Sequence, residues 1–203
     1  DETPMDAHAW DDRYAGTDAV WSPNPNIWVA ELLGERSPGT AIDLAAGEGR
    51  HALWLAGLGW RVTAVDFSAK GLDKGRQIAD REGFGDRIDW VVADVIDGDW
   101  PAGPYDAVVV SYLQVPPAAR ATAMQRAAAA VAEGGVLVVI GHDSANPEHG
   151  HGGPQNPEVL YNADDLIADL ADTGLTVHVA ELRKRDVDGA PRPALDVVVL
   201  ATR

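Results

Sequence analysis

Three carboxylates close three successive apolar runs: Asp43 in AIDLAAGEGRH, Asp66 in VTAVDFS and Asp94 in IDWVVADV. Gly47 and Gly49 follow the first of them; lacking a Cβ, they let backbone N–H groups approach a ligand closely. Gly47, Gly49 and Ala52 also fit the G-x-G-x-x-A spacing of a dinucleotide site. Asp43 separates the two readings. A pyrophosphate needs the positive end of a helix and no buried anion beside it, whereas a carboxylate there suits a cationic ligand. Asp66 can accept from both hydroxyls of a ribose, and Asp94 from an adenine amino group. Jointly the acids fit a ligand with an ammonium or sulfonium, a ribose, an adenine and no phosphate. A lone Asp at a strand end is more often a helix cap or a solvated loop residue; the placement of three together carries the reading.

Such residues need a frame that brings them to one edge. Short β-branched runs predict strands at Thr40–Leu44, Arg61–Val65, Ile88–Ala93, Tyr105–Ser111 and Val136–Ile140, and helical spacing covers Arg50–Leu58, Lys70–Arg81 and Pro117–Glu133. Unbroken apolar strands such as DAVVVSY and GVLVVIG suit a sheet buried on both faces. Strand–helix alternation implies parallel strands with helices on either side. The turn after the first strand then lies at the carboxyl edge, where open α/β sheets bind ligands. Upstream, Asn24-Pro25 reads as the cap and first position of a helix over Asn26–Leu33. Leu175–Arg183 and Leu195–Thr202 read as strands joined by RDVDGAPRP, too short for a helix, so they run antiparallel.

The expected fold is therefore α/β, Rossmann-like and doubly wound, a mostly parallel seven-stranded sheet with one antiparallel strand near the C-terminus. One domain over residues 1–203 is expected, with 1–36 as an N-terminal helical cover and 143–161 as a substrate-side loop. A long non-periodic stretch such as HDSANPEHGHGGPQNPEVLY is usually functional or disordered.

AIDLAAGEGRH, VTAVDFS, VVADV and YDAVVVSYLQ, in that order, resemble the consecutive motifs of class I S-adenosylmethionine-dependent methyltransferases, over roughly residues 8 to 203. WDDRY and the ending ELRKRDVDGAPRPALDVVVLATR resemble more narrowly the tellurite-resistance and thiopurine type of small-molecule methyltransferase. The resemblance implies S-adenosylmethionine as cofactor, which has the ammonium, sulfonium, ribose and adenine and no phosphate. It implies that Asp43, Ala45, Gly47 and Gly49 line the methionine end, and that Asp66 and Phe67 hold the ribose and one adenine face. Asp94 and Val95 would meet the adenine edge, with Ser111 and Tyr112 near the sulfonium. The family carries a glycine where this chain has Ala45, so a methyl group narrows the approach to the methionine moiety. Two alternatives stay open: an NAD-type oxidoreductase, and a non-catalytic S-adenosylmethionine-binding module.

Methyl transfer is an in-line displacement at carbon, in which holding the partners in line can supply roughly 7–11 kcal/mol. A base is needed only if the acceptor is protonated at working pH. His142 and Tyr112 are the candidates, and no evident catalytic motif follows the fourth strand. Acceptors that are nucleophilic without help are therefore expected: thiols, with pKa near ~8.5, and other soft chalcogen nucleophiles. Trp10, Arg13, Tyr14 and His151 are expected as substrate-side cover, although Trp10 and Tyr14, at i and i+4, also suit plain helix docking. His149 and His151 with His142 or Asp143 lack the cysteines or helical pair of a zinc signature, so no metal is expected.

Composition bounds the rest. The chain has 203 residues and no cysteine, with 32 acidic against 16 basic residues, a formal charge of −16. Such a surface repels phosphate backbones and anionic lipid, so nucleic-acid and membrane partners are not expected. No apolar run nears the ~20 residues of a membrane span, and the acidic start DETPMDAHAWDD is not a signal peptide. A cytoplasmic protein with a small-molecule acceptor is expected; oligomeric state is not legible.

Overall fold

The computed structural model describes residues 6–15 and 24–203. The portions of the expected 1–36 cover at 1–5 and 16–23 lie outside the described residues. The strands are β1 (Thr40–Leu44), β2 (Arg61–Asp66), β3 (Ile88–Val92), β4 (Tyr105–Ser111), β5 (Val131–His142), β6 (Thr176–Arg185) and β7 (Ala194–Thr202). They form one sheet in the order β3-β2-β1-β4-β5-β7-β6. β7 runs antiparallel to both neighbours, and the remaining pairs are parallel. The expected fold class is the observed one.

The helices are α1 (Ala7–Ala15), α2 (Ile27–Leu33), α3 (Arg50–Gly57), α4 (Ala69–Glu82), α5 (Pro117–Ala129), α6 (Asn146–His149) and α7 (Ala163–Asp169). Because side chains alternate across a strand, β1, β2, β4, β5 and β7 each feed two cores. Ile42, Leu44, Val108, Val110, Leu137, Val139, Val197 and Val199 meet α5 and α7 through Met124, Ala127, Leu166 and Leu170. Ala41, Val62, Ala64, Ala107, Val109, Val138, Ile140 and Val198 meet α2, α3 and α4 through Val29, Leu33, Leu53, Leu55, Leu72 and Ile78. Among the described residues no helix is long and apolar enough to cross a membrane.

Local chemistry corrects three expectations. The cap of α2 is Asn26, whose side chain accepts from Trp28 N–H at 2.9 Å; Asn24-Pro25 precedes it. α5 stops at Ala129 instead of running to Glu133, because Val131 already pairs with Tyr105 in the β4–β5 ladder. α7 lay unread in the sequence, although Asn162 and Asp165 form a capping box that announces it. The stretch 143–161 is tied down by a bridge between Asp143 and Tyr161 and a Ser144 N–H bond to Tyr161 O at 3.0 Å.

α4 lies close on the turn after β1 because Gly75 has no side chain. A Cβ there meets the Trp90 ring at 2.5 Å and Glu48 O at 2.6 Å. Alanine gains roughly 0.5–1 kcal/mol over glycine in a helix interior, but overpacking against a backbone oxygen costs typically ~1–3 kcal/mol. Gly75→Ala is therefore expected to lower stability in chemical denaturation; a raised midpoint would show that α4 has room to move.

Candidate functional site

The alternation that feeds the α2–α3–α4 core continues to the carboxyl ends of the strands, where it turns polar. Asp43, Asp66, Ser111, His142 and Asp196 continue the same side of β1, β2, β4, β5 and β7 as the apolar residues packed under those helices. Here the sheet ends and the helices begin, so these groups meet turns instead of apolar packing. Charge divides the edge. Asp94, Asp66 and Asp43 are electrostatic neighbours in succession. Asp43 in turn faces Arg50, which faces Arg185 and Tyr112.

In the acidic half, Asp66 is 6% exposed and clamps the turn. Its Oδ2 accepts from Gly47 N–H and its Oδ1 from Ser68 N–H, both at 2.8 Å. Each oxygen keeps a second lone pair for a ligand. Burial raises the Asp66 pKa against those two bonds. Asp43 accepts from Ala52 N–H at 3.2 Å through Oδ2, while its buried Oδ1 has no hydrogen-bond partner among the described residues. Burial pushes its pKa up to about 7. An unpaired buried acceptor of this kind fits an ammonium or sulfonium. Phe67 is half-buried and belongs to neither core. Asp94 accepts from Ile96 N–H at 2.7 Å in its own turn, and Val95 is buried in the core.

The glycines do something other than expected. Their N–H groups serve the turn itself, Gly47 toward Asp66 and Gly49 toward Ala46 O at 2.8 Å. A Cβ on Gly47 meets the Tyr14 hydroxyl at 2.6 Å, and one on Gly49 meets the Trp90 ring at 2.7 Å. Both residues, like Ala45 (φ 60°), have positive φ, so the turn is wound tightly against its neighbours.

α1 covers this half. Asp11 Oδ1 accepts from Ser68 Oγ and, at 3.3 Å, from Lys70 N–H, which docks α1 on the start of α4. Trp10 and Tyr14 stack with centroids 5.6 Å apart, and Arg13 sits 5.1 Å over the Trp10 ring. Tyr14 is thus brought to the turn after β1, beside Asp66 and Glu48.

The basic half centres on Asp196, which is fully buried. Its Oδ2 accepts from Arg185 Nε at 2.7 Å, Trp28 Nε1 at 3.0 Å and the Tyr112 hydroxyl at 3.1 Å. Tyr112, at φ 54°, also accepts from Asn26 Nδ2 at 2.8 Å and lies 4.7 Å from the His142 ring. His142 Nδ1 is buried, unpartnered among the described residues and 3.9 Å from Asp196 Oδ1. Burial lowers the His142 pKa, Asp196 works in the opposite direction, and Arg185 adds to the lowering. Ser111 Oγ is buried without a partner among the described residues. His151 is exposed and does not join this group; the long stretch reaches it through Gly153, whose added Cβ would lie 2.8 Å from His142. Among the described residues no group of three or more His, Asp or Glu comes together to hold a metal.

Sequence reasoning missed Asp196, Arg185, Arg50 and Asn26. The signal for Asp196 was present: a single charge inside ALDVVVL, the same anomaly that singled out Asp43 in AIDLA.

Residues 41–135 match the family described as "Methyltransferase domain". The 2-phytyl-1,4-naphtoquinone methyltransferase of Nostoc sp. (strain PCC 7120) is 32% identical over 100 residues, 48% of this chain and 42% of that protein. The matched region thus spans less than half of that relative. A structure from work on conversion of a disulfide bond into a thioacetal group during echinomycin biosynthesis superposes with TM-score 0.76 at 22% identity, over 97% of this chain and 91% of that one. Magnesium protoporphyrin IX methyltransferase from Synechocystis PCC 6803, with bound S-adenosylmethionine, gives TM-score 0.63 at 17% identity, over 97% and 79%. The fold is thus the Rossmann-like fold of these solved structures, and residues 41–135 resemble a methyltransferase domain.

Asp43 makes the edge pH-sensitive. The folded protein holds this proton to about pH 7, whereas the ordinary aspartate value of 3.8 applies to the unfolded chain. Ionisation therefore costs folding free energy, and Asp43 subtracts stability as pH rises from about 4 to about 7. Ligand-free Asp43→Asn is expected to melt a few degrees above wild type at pH 7, where ~1 kcal/mol shifts Tm by about 2–4 °C in a chain of this size. The difference should vanish near pH 4; parallel stability curves across that range would place the Asp43 pKa in the normal range.

Proposed function

We propose that this chain is an S-adenosylmethionine-dependent methyltransferase that transfers a methyl group from that cofactor to a small molecule with a soft nucleophile, a thiol or related chalcogen. The observation that carries the cofactor half is the orphaned, buried Oδ1 of Asp43 beside the Asp66 clamp. When bound, the cofactor supplies a methyl group on a sulfonium, already an excellent leaving group. Asp43 would hold its cationic end, Asp66 the ribose hydroxyls, Phe67 one adenine face and Asp94 the adenine edge. In this reading Ser111 and Tyr112 stand near the sulfonium, and residues 1–203 act as one domain, with 143–161 as the acceptor-side loop.

The acceptor class follows from what the basic half offers. Arg50 and Arg185 favour an anionic nucleophile over a cationic one. An imidazole whose pKa burial has lowered is a weak base. A weak base suits acceptors whose proton leaves near neutral pH, as a thiol's does at ~8.5, and not an alcohol's.

Asp66→Ala tests the cofactor half. Each charge-assisted hydrogen bond contributes roughly 1.5–3 kcal/mol, so S-adenosylhomocysteine affinity should fall at least about tenfold. Calorimetry beside circular dichroism separates binding from folding; unchanged affinity in a folded variant would remove Asp66 from the ribose.

A further inference from the structure

Among the described residues, two imidazoles lie at the basic half of the edge: His51 is buried and His142 is partly buried. His51 uses Nε2 to accept from Asn26 N–H at 3.2 Å, and burial pushes its pKa down to about 3, so it stays neutral and structural. His142 is placed differently. It pairs with Asp196 across the antiparallel β5–β7 ladder, which puts both side chains on one face. Among the described residues, Asp196 Oδ2 accepts from three donors, while Oδ1 accepts only from Arg185 Nη2 at 3.4 Å. That under-used oxygen lies 3.9 Å from the unpartnered Nδ1 of His142.

A neutral imidazole carries one N–H and one lone pair. A lone pair on Nδ1 would set two acceptors face to face in a buried site. A proton on Nδ1 gives Asp196 Oδ1 a donor and leaves the lone pair on Nε2. The Tyr112 ring at 4.7 Å and the Gly153 backbone limit how far the imidazole can turn, and Gln114 Oε1 accepts from the His142 backbone N–H at 2.9 Å.

Given the function proposed above, we propose that His142 accepts the proton of a neutral thiol acceptor on Nε2, and that Asp196, 3.9 Å from Nδ1, is the residue that positions it, its Oδ1 accepting from Nδ1–H once that gap closes. The thiol S–H proton passes to Nε2, and the electron pair it leaves behind forms the new sulfur–methyl bond. The pair of the broken methyl–sulfonium bond stays on the departing thioether, and the imidazolium then returns its proton to water. Asp196 on β7 favours the imidazolium. Arg185 on β6 opposes it, and the neutral Tyr112 after β4 faces the ring without a charge. His142 thus charges only transiently.

The tautomer is open to direct measurement. In protein labelled with nitrogen-15 histidine, two-bond nitrogen–proton correlations at pH 7 should report His142 as neutral with its proton on Nδ1. A proton on Nε2 would overturn the proposal, whether or not any acceptor is turned over. Kinetics supply the second arm, with 4-nitrothiophenol as a thiol already ionised at neutral pH and 2-mercaptoethanol as one mostly protonated. His142→Gln should shift the ratio of the two kcat/KM values at least about a hundredfold against 2-mercaptoethanol, the lower end of what losing a general base does. Equal losses on both thiols would reduce His142 to a structural role. S-adenosylhomocysteine calorimetry on the same variant keeps the two ideas apart. Retained binding with an unshifted ratio sinks the base alone, whereas wild-type protein that binds no S-adenosylhomocysteine sinks the methyltransfer reading.

Discussion

A sheet buried on both faces leaves its polar groups almost nowhere to go but the strand ends. The buried central positions of β1, β4, β5 and β7 are almost all apolar, since each meets either the α5–α7 layer or the α2–α3–α4 layer. Asp43, Ser111, His142 and Asp196 are the places where that rule breaks on one side, each at or near the carboxyl end of β1, β4 or β5 or at the start of the reversed strand β7. Reversal of β7 is what brings its beginning, and not its end, to this edge.

Once placed there, the groups interact through a low-dielectric setting in which an unpaired charge is expensive. The acidic half answers this with burial-raised pKa values and backbone donors: Asp43 and Asp66 hold the turn after β1 together through Ala52, Gly47 and Ser68. The basic half answers it by pairing, with Asp196 collecting donors from α2, the residue after β4, and β6. One carboxylate therefore fixes Trp28, Tyr112 and Arg185 relative to each other. Replacing it would disturb α2 docking as well as the site.

The class of fold and the acidic half were legible because both are written in local patterns. Apolar runs ending in a single acid, tight glycines and a short antiparallel connection need only neighbouring residues to be read. Element ends were less legible. Val131 left the alanine-rich helix because a ladder partner, Tyr105, was waiting for it, and Asn26 took the cap because its carboxamide could reach Trp28 N–H. The glycines at 47 and 49 were read as ligand-facing; the residues that occupy their missing side chains, Tyr14 and Trp90, come from α1 and β3.

The sequence by itself determined the doubly wound α/β sheet, its reversed strand and the row of acids at three strand ends, because hydrophobic period and turn chemistry act over a few residues. The tertiary structure alone decided that Asp196, 54 positions beyond His142, stands opposite it, that Arg185 and Tyr112 share its carboxylate, and that His151 stays outside. Those relations depend on strand order and register, which set the distance between residues far apart in the chain and leave no mark on the residues around each one.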